Sequence, residues 1–422
     1  MKKRHPLLRT LLDLRGNPRA CVYTEPLWGI PFNLYAPYVS IYMLALGLSD
    51  VQIGLIASIG MAFQIVFAFL GGAITDKLGR RNATFIFDLI SWCIPALVWA
   101  LAQNFTHFLI AAIINSVWRV PATSWHCLLV EDAEQDQLID IYAWIHISGL
   151  LAVFFAPLAG LLIARYQTVP TVRGLYLFTF FMMAVKIILL YIFSTETRQG
   201  EIRLNETKGQ SIFVILKQYG GVVKQLINTP ITVMMMFLIL IRSITSLVNG
   251  TFWGIIVTER LNIPVENVAL FPFVRSAVIL LLFFFLVPKM NKISLEKPLV
   301  LGFLLFAASQ FLLIITPING YFLLIISTVL EAFSLALLNP ILDSLFVINV
   351  DAQERARITA MIQVAAIALT SPFGWLAGIL SETDRMLPFV MNIVLIILGG
   401  VLAYSISRAR NVMITAGFRD EA

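Results

Sequence analysis

The sequence predicts an all-α membrane protein: twelve transmembrane helices in two six-helix pseudo-symmetric bundles. Three observations predict it. First, 59% of the 422 residues are hydrophobic and 13% are charged, with a mean hydropathy of +0.87, well outside the range of soluble globular chains. Second, apolar runs of about 20 residues, long enough to cross a hydrocarbon core, recur twelve times between polar loops. Third, the two halves repeat. Leu46–Leu55 aligns with Leu261–Leu270 at an offset of 215, which also carries Asp76-Lys77 onto Asn291-Lys292 and Pro157 onto Pro372. Near the fourth span the offset becomes 219, where Pro121 and Asp132-Ala133 match Pro340 and Asp351-Ala352. Six spans per half, related as a parallel repeat, place the axis between the halves along the membrane normal.

The expected spans lie near 21–46, 52–75, 83–103, 106–130, 138–164, 174–194, 230–258, 267–288, 298–316, 320–345, 356–380 and 387–407. Ahead of them, His5 to Arg15 sets Leu7, Leu8, Leu11 and Leu12 on one face, a pattern for a short helix on the inner membrane surface; a disordered basic tail is the alternative. The first apolar run follows six basic residues, is flanked by Glu25 and Pro26 and lacks a small-residue cleavage site, so it is expected to be a retained span. Thr195 to Thr229 is the one long polar interruption. Within it Ile212, Phe213, Leu216, Tyr219, Val223 and Leu226 recur at helical spacing, which predicts a second interfacial helix. The chain therefore divides into residues 1–194, a bundle with an amphipathic N-terminal segment; 195–229, a cytoplasmic linker; and 230–422, the second bundle.

The loops assign sides. Of the 30 Lys and Arg residues, 22 fall in the termini and loops of one face, four in loops of the other (Arg165, Arg173, Arg260, Arg385), and four inside spans. This asymmetry expects both termini in the cytoplasm. The net charge of +6 then serves as inner-leaflet anchoring and not as a nucleic-acid footprint. Compact loops fit a cell inner membrane of the bacterial type. Cys21, Cys93 and Cys127 are isolated within or beside spans, so no disulfide framework, metal site or cofactor is expected.

The stretch Gly72-Ala73-Ile74-Thr75-Asp76-Lys77-Leu78-Gly79-Arg80-Arg81 closes the second span with four formal charges. An acid at a helix C-terminus opposes the helix dipole, so Asp76 needs a compensating partner. The spacing G-x-x-x-D-K-x-G-R-R resembles the signature between spans two and three of the major facilitator superfamily of secondary transporters. That resemblance implies a conformational latch made of Gly72, Asp76, Gly79, Arg80 and Arg81, with Asp76 meeting the first turn of span eleven at Arg355. The repeat has Asn291 at the position of Asp76, so such a latch would be single.

An ionisable side chain in a span is costly unless it meets water or a partner, and is a site candidate by default. The sequence has seven: Glu25, Asp88, Arg119, Lys186, Arg242, Arg275 and Glu331. In the resembled fold, spans one, four, seven and ten line the central cavity, and Glu25, Arg119, Arg242 and Glu331 fall one on each. Arg119, Arg242 and Glu331 each lie about 16 to 18 Å from a span end at 1.5 Å per residue, so they share the midplane. Glu331 is expected to pair with Arg242 or with Arg275; a fixed structural ion pair is the plainer alternative. Glu25 and Asp88 sit closer to the cytoplasmic side. Glu25 precedes Pro37 by twelve residues, which resembles the embedded acid of multidrug/proton antiporters, with Asn33 where some of those carry a second acid; this makes Glu25 the first candidate for proton coupling and Glu331 the second. Asn33, Tyr35, Asn115, Trp118, Asn249, Trp253 and Asn339 add amides and aromatics suited to a mixed ligand. Lys186 is assigned to structure or to a cavity rim, and His126 and His146 to ordinary hydrogen bonding.

Two signatures depart from the antiporter pattern. Leu109 stands where the span-four signature has an arginine, and Ala152, Ala156 and Leu161 replace glycines of the span-five signature. No G-x-x-x-x-G-K-[ST] loop, converging catalytic set or filter segment is present, so a pump, an enzyme or a channel is disfavoured. The expected function is a monomeric, proton-coupled secondary active transporter working by alternating access in the lipid bilayer, exporting amphipathic small molecules. The alternative is a proton-coupled importer of a small organic anion, since embedded cations outnumber embedded acids four to three.

Overall fold

The computed structural model of the protein describes residues 11–134, 137–209, 230–285, 296–349 and 355–415, and among them regular structure is helical throughout. Prolines decide where the first span breaks. It runs as α1 (Gly16–Thr24), α2 (Pro26–Tyr35), a tight turn at 36–38 and α3 (Val39–Ala45), because Pro26, Pro31 and Pro37 each lack the N–H an unbroken ladder needs. Span two is α4 (Asp50–Leu78), started by a reciprocal cap in which Gln52 N–H donates to Ser49 and Ser49 N–H donates to the Gln52 side chain.

Span three is α5 (Arg80–Asp88), a π turn at Leu89–Cys93 and α6 (Ile94–Ala100). Pro95 cannot donate to the Ser91 carbonyl one turn back, and Asn115 Nδ2 takes that acceptor at 2.8 Å. Span four is α7 (Phe105–Asn115), a 3-10 turn at Ser116–Trp118 and α8 (Arg119–Val130), tightened just ahead of Pro121. Then follow α9 (Leu138–Val153), α10 (Ala156–Tyr166), α11 (Thr168–Phe193) and the short α12 (Arg198–Glu206), capped by the Thr197 hydroxyl. The second half holds α13 (Pro230–Ile255), α14 (Leu270–Phe285), α15 (Glu296–Ile315), α16 (Tyr321–Asn349), α17 (Arg355–Thr383) and α18 (Leu387–Thr415).

Ten helical stretches among the described residues are long and apolar enough to cross a membrane. The other two expected spans, 21–46 and 106–130, are helical but interrupted as described, so a count of twelve rests on including them. The interfacial helix expected over 212–226, the repeat partners Asn291-Lys292 and Asp351-Ala352, and Leu7 and Leu8 lie outside the described residues.

The chain packs as two compact units, Met1–Gly220 with Pro264–Phe273, and Gly221–Ile263 with Val274–Ala422. In the first, Leu14, Cys21 and Val22 meet Leu128 and Leu129 of α8, Ile141 of α9 and Leu190 of α11. Leu11 joins this core from its edge and Leu14 is fully buried, so the described end of the N-terminal segment packs inward; only Leu12 keeps the exposure expected of a surface helix. In the second unit Met235, Leu238 and Ile241 of α13 meet Phe303 and Phe306 of α15, Leu338 and Ile341 of α16, and Ile396 of α18. Phe181, Ile188 and Ile192 of α11, Phe322 of α16 and Val401 of α18 are more than half exposed. Apolar surface of that extent is what a bilayer, and not water, would solvate.

Candidate functional site

At the basic end of the first unit, Gly79 joins α4 to α5 with φ +82° and ψ 159°, a conformation essentially confined to glycine. A Cβ at this position would strike the Glu196 carboxylate. That carboxylate caps α5, accepting from the Arg80 N–H at 2.9 Å and the Arg81 N–H at 3.2 Å. The Arg80 side chain is 4% exposed and spans two acids, with Nη1 3.0 Å from Asp76 and Nε 3.1 Å from Glu131. Thr197 donates to the same Glu131 carboxylate. Arg81 donates to the Tyr191 carbonyl from Nε and Nη2 and lies 3.9 Å from the Tyr191 ring centre.

Asp76 pairs with Arg80, one turn along the chain; the contact with the first turn of span eleven that the resemblance implies falls on side chains outside the described residues. Arg355 is the first residue of α17, and its side chain lies outside the described residues. Gly72 is half-buried, and the close helix approach belongs to its neighbour: a Cβ on Gly71 would sit 3.3 Å from the Arg119 carbonyl of α8. Gly79→Ala is expected to lower stability by about 1–3 kcal/mol, read as the melting temperature of the purified chain in detergent. An unchanged melting temperature would mean that this turn carries no such constraint.

The second cluster lies in the interior of the same unit. Lys186 Nζ of α11 is 3.2 Å from Glu25 Oε2, at the junction of α1 and α2, and both residues are buried. Asp88, at the end of α5 and also buried, is within electrostatic reach of both. The Lys186 ammonium also faces Trp28 at 5.8 Å and Trp125 at 5.7 Å. Two acids share one cation here. The sequence puts Glu25 closer to the cytoplasmic side and assigns Lys186 to structure or to a cavity rim; the pairing joins residues 161 apart in sequence, and no local spacing reveals it.

Arg119, at the start of α8, is half-buried. Its Nε donates to Gln64 Oε1 of α4 at 2.9 Å and its guanidinium lies 4.1 Å from the Trp118 ring centre. No carboxylate lies within ion-pair distance of it among the described residues, whereas Arg80, Lys186 and Arg275 each have one. Asn115, one turn earlier, is held on Ser91, next in sequence to Trp92. Trp92 packs edge-on to Trp28 at 5.6 Å and to Phe32 at 6.3 Å, and Trp28 stacks on Phe32 at 5.0 Å. All three rings are half-buried. Asn33 donates to the Gly29 carbonyl at 2.7 Å, a local bond within α2.

In the second unit Glu331 of α16 is buried and pairs with Arg275 of α14 at 3.3 Å, one of the two partners the sequence allowed. Asn249 of α13 donates to Glu331 at 3.3 Å and accepts from Asn392 of α18 at 3.0 Å; Asn392 also reaches Gln310 of α15. This buried polar chain was not visible in sequence, because Asn392 and Gln310 are single amides in otherwise apolar helices. Arg242 and Trp253 are both half-buried on α13. His126 shares a hydrogen bond of 2.7 Å with Tyr142, the ordinary role expected for it.

Comparison with known proteins gives the family. Residues 28–248, more than half of the chain, match the Major Facilitator Superfamily. A curated relative, the uncharacterized MFS-type transporter YqjV of Bacillus subtilis (strain 168), is 27% identical over 154 residues, which is 34% of this chain and 37% of the relative, so the match spans about a third of each protein. Among solved structures, the nucleoside transporter NupG superposes with a TM-score of 0.69 at 14% identity, covering 92% of this chain and 98% of that one. A POT family transporter in complex with a thioalcohol-conjugated peptide gives 0.71 at 15% identity, covering 97% and 100%. The human organic anion transporter MFSD10 gives 0.65 at 15% identity, covering 95% and 100%. Identities this low establish the fold alone; the family match over more than half of the sequence goes further, and this multi-pass membrane protein belongs to the Major Facilitator Superfamily.

Proposed function

We propose that the chain is a proton-coupled secondary active transporter that works by alternating access on amphipathic small molecules, as a monomer in a cell inner membrane with both termini cytoplasmic. The observation that carries the proton coupling is the buried group of Glu25, Asp88 and Lys186. With Lys186 charged, one ionised carboxylate neutralises it and the second does best protonated, since an unpaired charge in this setting costs several kcal/mol. One proton therefore has two carboxylate positions around one ammonium. Opening the group to one side of the membrane or the other would load or release it. Glu331, held by Arg275 and Asn249, is the corresponding acid of the second unit, and its salt bridge gives it the more structural character.

Direction follows from the same coupling. With a proton gradient directed inward, a proton exchanged for substrate drives export, and a proton carried with substrate drives import. The resemblance to multidrug/proton antiporters supports export. The embedded cations support the second reading, uptake of a small organic anion.

The test uses proteoliposomes holding a trapped pH indicator, challenged with tetraphenylphosphonium, ethidium, naphthoate and benzoate and compared with empty liposomes. At least one compound is expected to change the internal pH in a protein-dependent way, and Glu25→Gln is expected to remove that change while binding persists. A wild-type chain that binds or equilibrates a compound with no proton movement would overturn proton coupling. A Glu25→Gln chain with unaltered proton movement would remove Glu25 from the mechanism.

A further inference from the structure

We infer that Arg119, stacked on Trp118 and one turn from Asn115, which is held on Ser91 next to Trp92 of the Trp28–Phe32–Trp92 ring group, is the receptor for the carboxylate of an aromatic organic acid. The proposal rests on the reading of the chain as a carrier and names the class of its cargo. Its starting point is an unbalanced charge. An arginine about 17 Å into a span, eleven residues from the end of α8 at 1.5 Å per residue, would ordinarily be matched by an acid. Three other cations in or beside the spans are so matched, Arg80 by Asp76 and Glu131, Lys186 by Glu25 and Arg275 by Glu331. Arg119 has a neutral amide, Gln64, and an indole face, Trp118, and no acid within ion-pair distance among the described residues.

The two contacts fix the guanidinium without neutralising it. Gln64 takes Nε, which leaves the donors of both Nη groups outside that bond. Stacking on Trp118 at 4.1 Å holds the plane of the guanidinium. A fork of two parallel N–H donors matches the two oxygens of a carboxylate. Substrate would therefore supply the missing counter-charge.

The apolar part of the ligand is set by what stands one turn away. Asn115 anchors α7 to Ser91 at 2.8 Å, which brings Trp92 beside that turn, and Trp92 forms a three-ring group with Trp28 and Phe32. Those rings are half-buried, so each retains open surface for stacking. A flat aromatic body with one carboxylate satisfies both features. A cationic amphiphile would face an uncompensated guanidinium, a repulsion that disfavours lipophilic cations at this position.

The experiment measures equilibrium binding to the purified full chain in detergent, using naphthoate, its neutral amide naphthamide, and naphthylmethylammonium. Naphthoate is expected to bind saturably and both others to bind far more weakly. Arg119→Gln is expected to weaken naphthoate by about 30-fold, the loss of a charge-assisted hydrogen-bonded pair, and Arg119→Lys to recover part of it. Gln64→Glu is the decisive variant, because it keeps the arginine and places a carboxylate where the amide stood; it should abolish naphthoate binding while the melting temperature holds or rises. Equal binding of naphthoate and naphthamide, no naphthoate binding by the wild-type chain, or undiminished binding by Gln64→Glu would each overturn the proposal. Because binding is read without transport, the two claims fail separately: naphthoate bound but never moved across vesicles contradicts the carrier reading, and transport of cations without naphthoate binding contradicts this one.

Discussion

Lys186→Met is expected to be the most damaging single change in the first unit. It removes the cation paired with Glu25 and within electrostatic reach of Asp88, and leaves two buried carboxylates without it. Breaking one side of a buried ion pair costs about 3–5 kcal/mol, more than the intact pair contributes, because the remaining charge stays desolvated. Thermal unfolding in detergent should show a large drop in melting temperature, and the double variant Lys186→Met with Glu25→Gln should recover much of it. Recovery is the diagnostic outcome: two independent defects would add, whereas a charge pair gives a coupling of opposite sign. If the double variant is as unstable as the sum of the singles, the Lys186 and Glu25 contact is not an energetic pair.

Arg80→Gln has the second largest expected effect. Arg80 is buried between Asp76 and Glu131, and both acids would lose their cation at once. The same range of about 3–5 kcal/mol applies. Its neighbour provides an internal comparison. Arg81 holds a backbone carbonyl and an aromatic face, with no carboxylate on its side chain among the described residues, so Arg81→Gln should cost less, about 1–2 kcal/mol. Measured melting temperatures should fall in that order. An equal or inverted order would mean that the carboxylate pairs at this end of the unit contribute little, with Glu196 capping of α5 as the dominant tie.

How legible these features were in sequence depended on how local they are. Hydropathy marked the membrane-length helical stretches in the described residues, since hydrocarbon-length apolar runs have few other uses, but it gave no sign of the polar α12 (Arg198–Glu206). The interruptions at 36–38 and 116–118 follow from Pro37 and Pro121, and the need for glycine at position 79 follows from a turn within the G-x-x-x-D-K-x-G-R-R stretch. Partners distant in sequence were not legible. Glu25 was singled out as an embedded acid, but its partner was not foreseen, because Lys186 arrives from a helix 161 residues away. Asp76 was seen to need a cation, and Arg80, four residues on, is one; the Arg355 contact implied by the resemblance falls on a side chain outside the described residues. Glu331 was left with two candidate arginines, and the structure places Arg275 of α14 at 3.3 Å from it, a pairing that no local spacing reveals. Asn392 and Gln310 carried no signal at all; single amides inside apolar helices acquire meaning only when Asn249 is placed beside them.

The central claim is that the protein uses a proton gradient to move an organic compound uphill. The most direct measurement is accumulation of labelled naphthoate and tetraphenylphosphonium in proteoliposomes under an imposed pH gradient of either sign, with empty liposomes as the baseline. The account predicts protein-dependent accumulation of one of these compounds beyond equilibrium, inverted when the gradient is inverted and collapsed by a protonophore. Protein-dependent movement that only equilibrates the compound, at a rate and extent indifferent to the gradient, would contradict it.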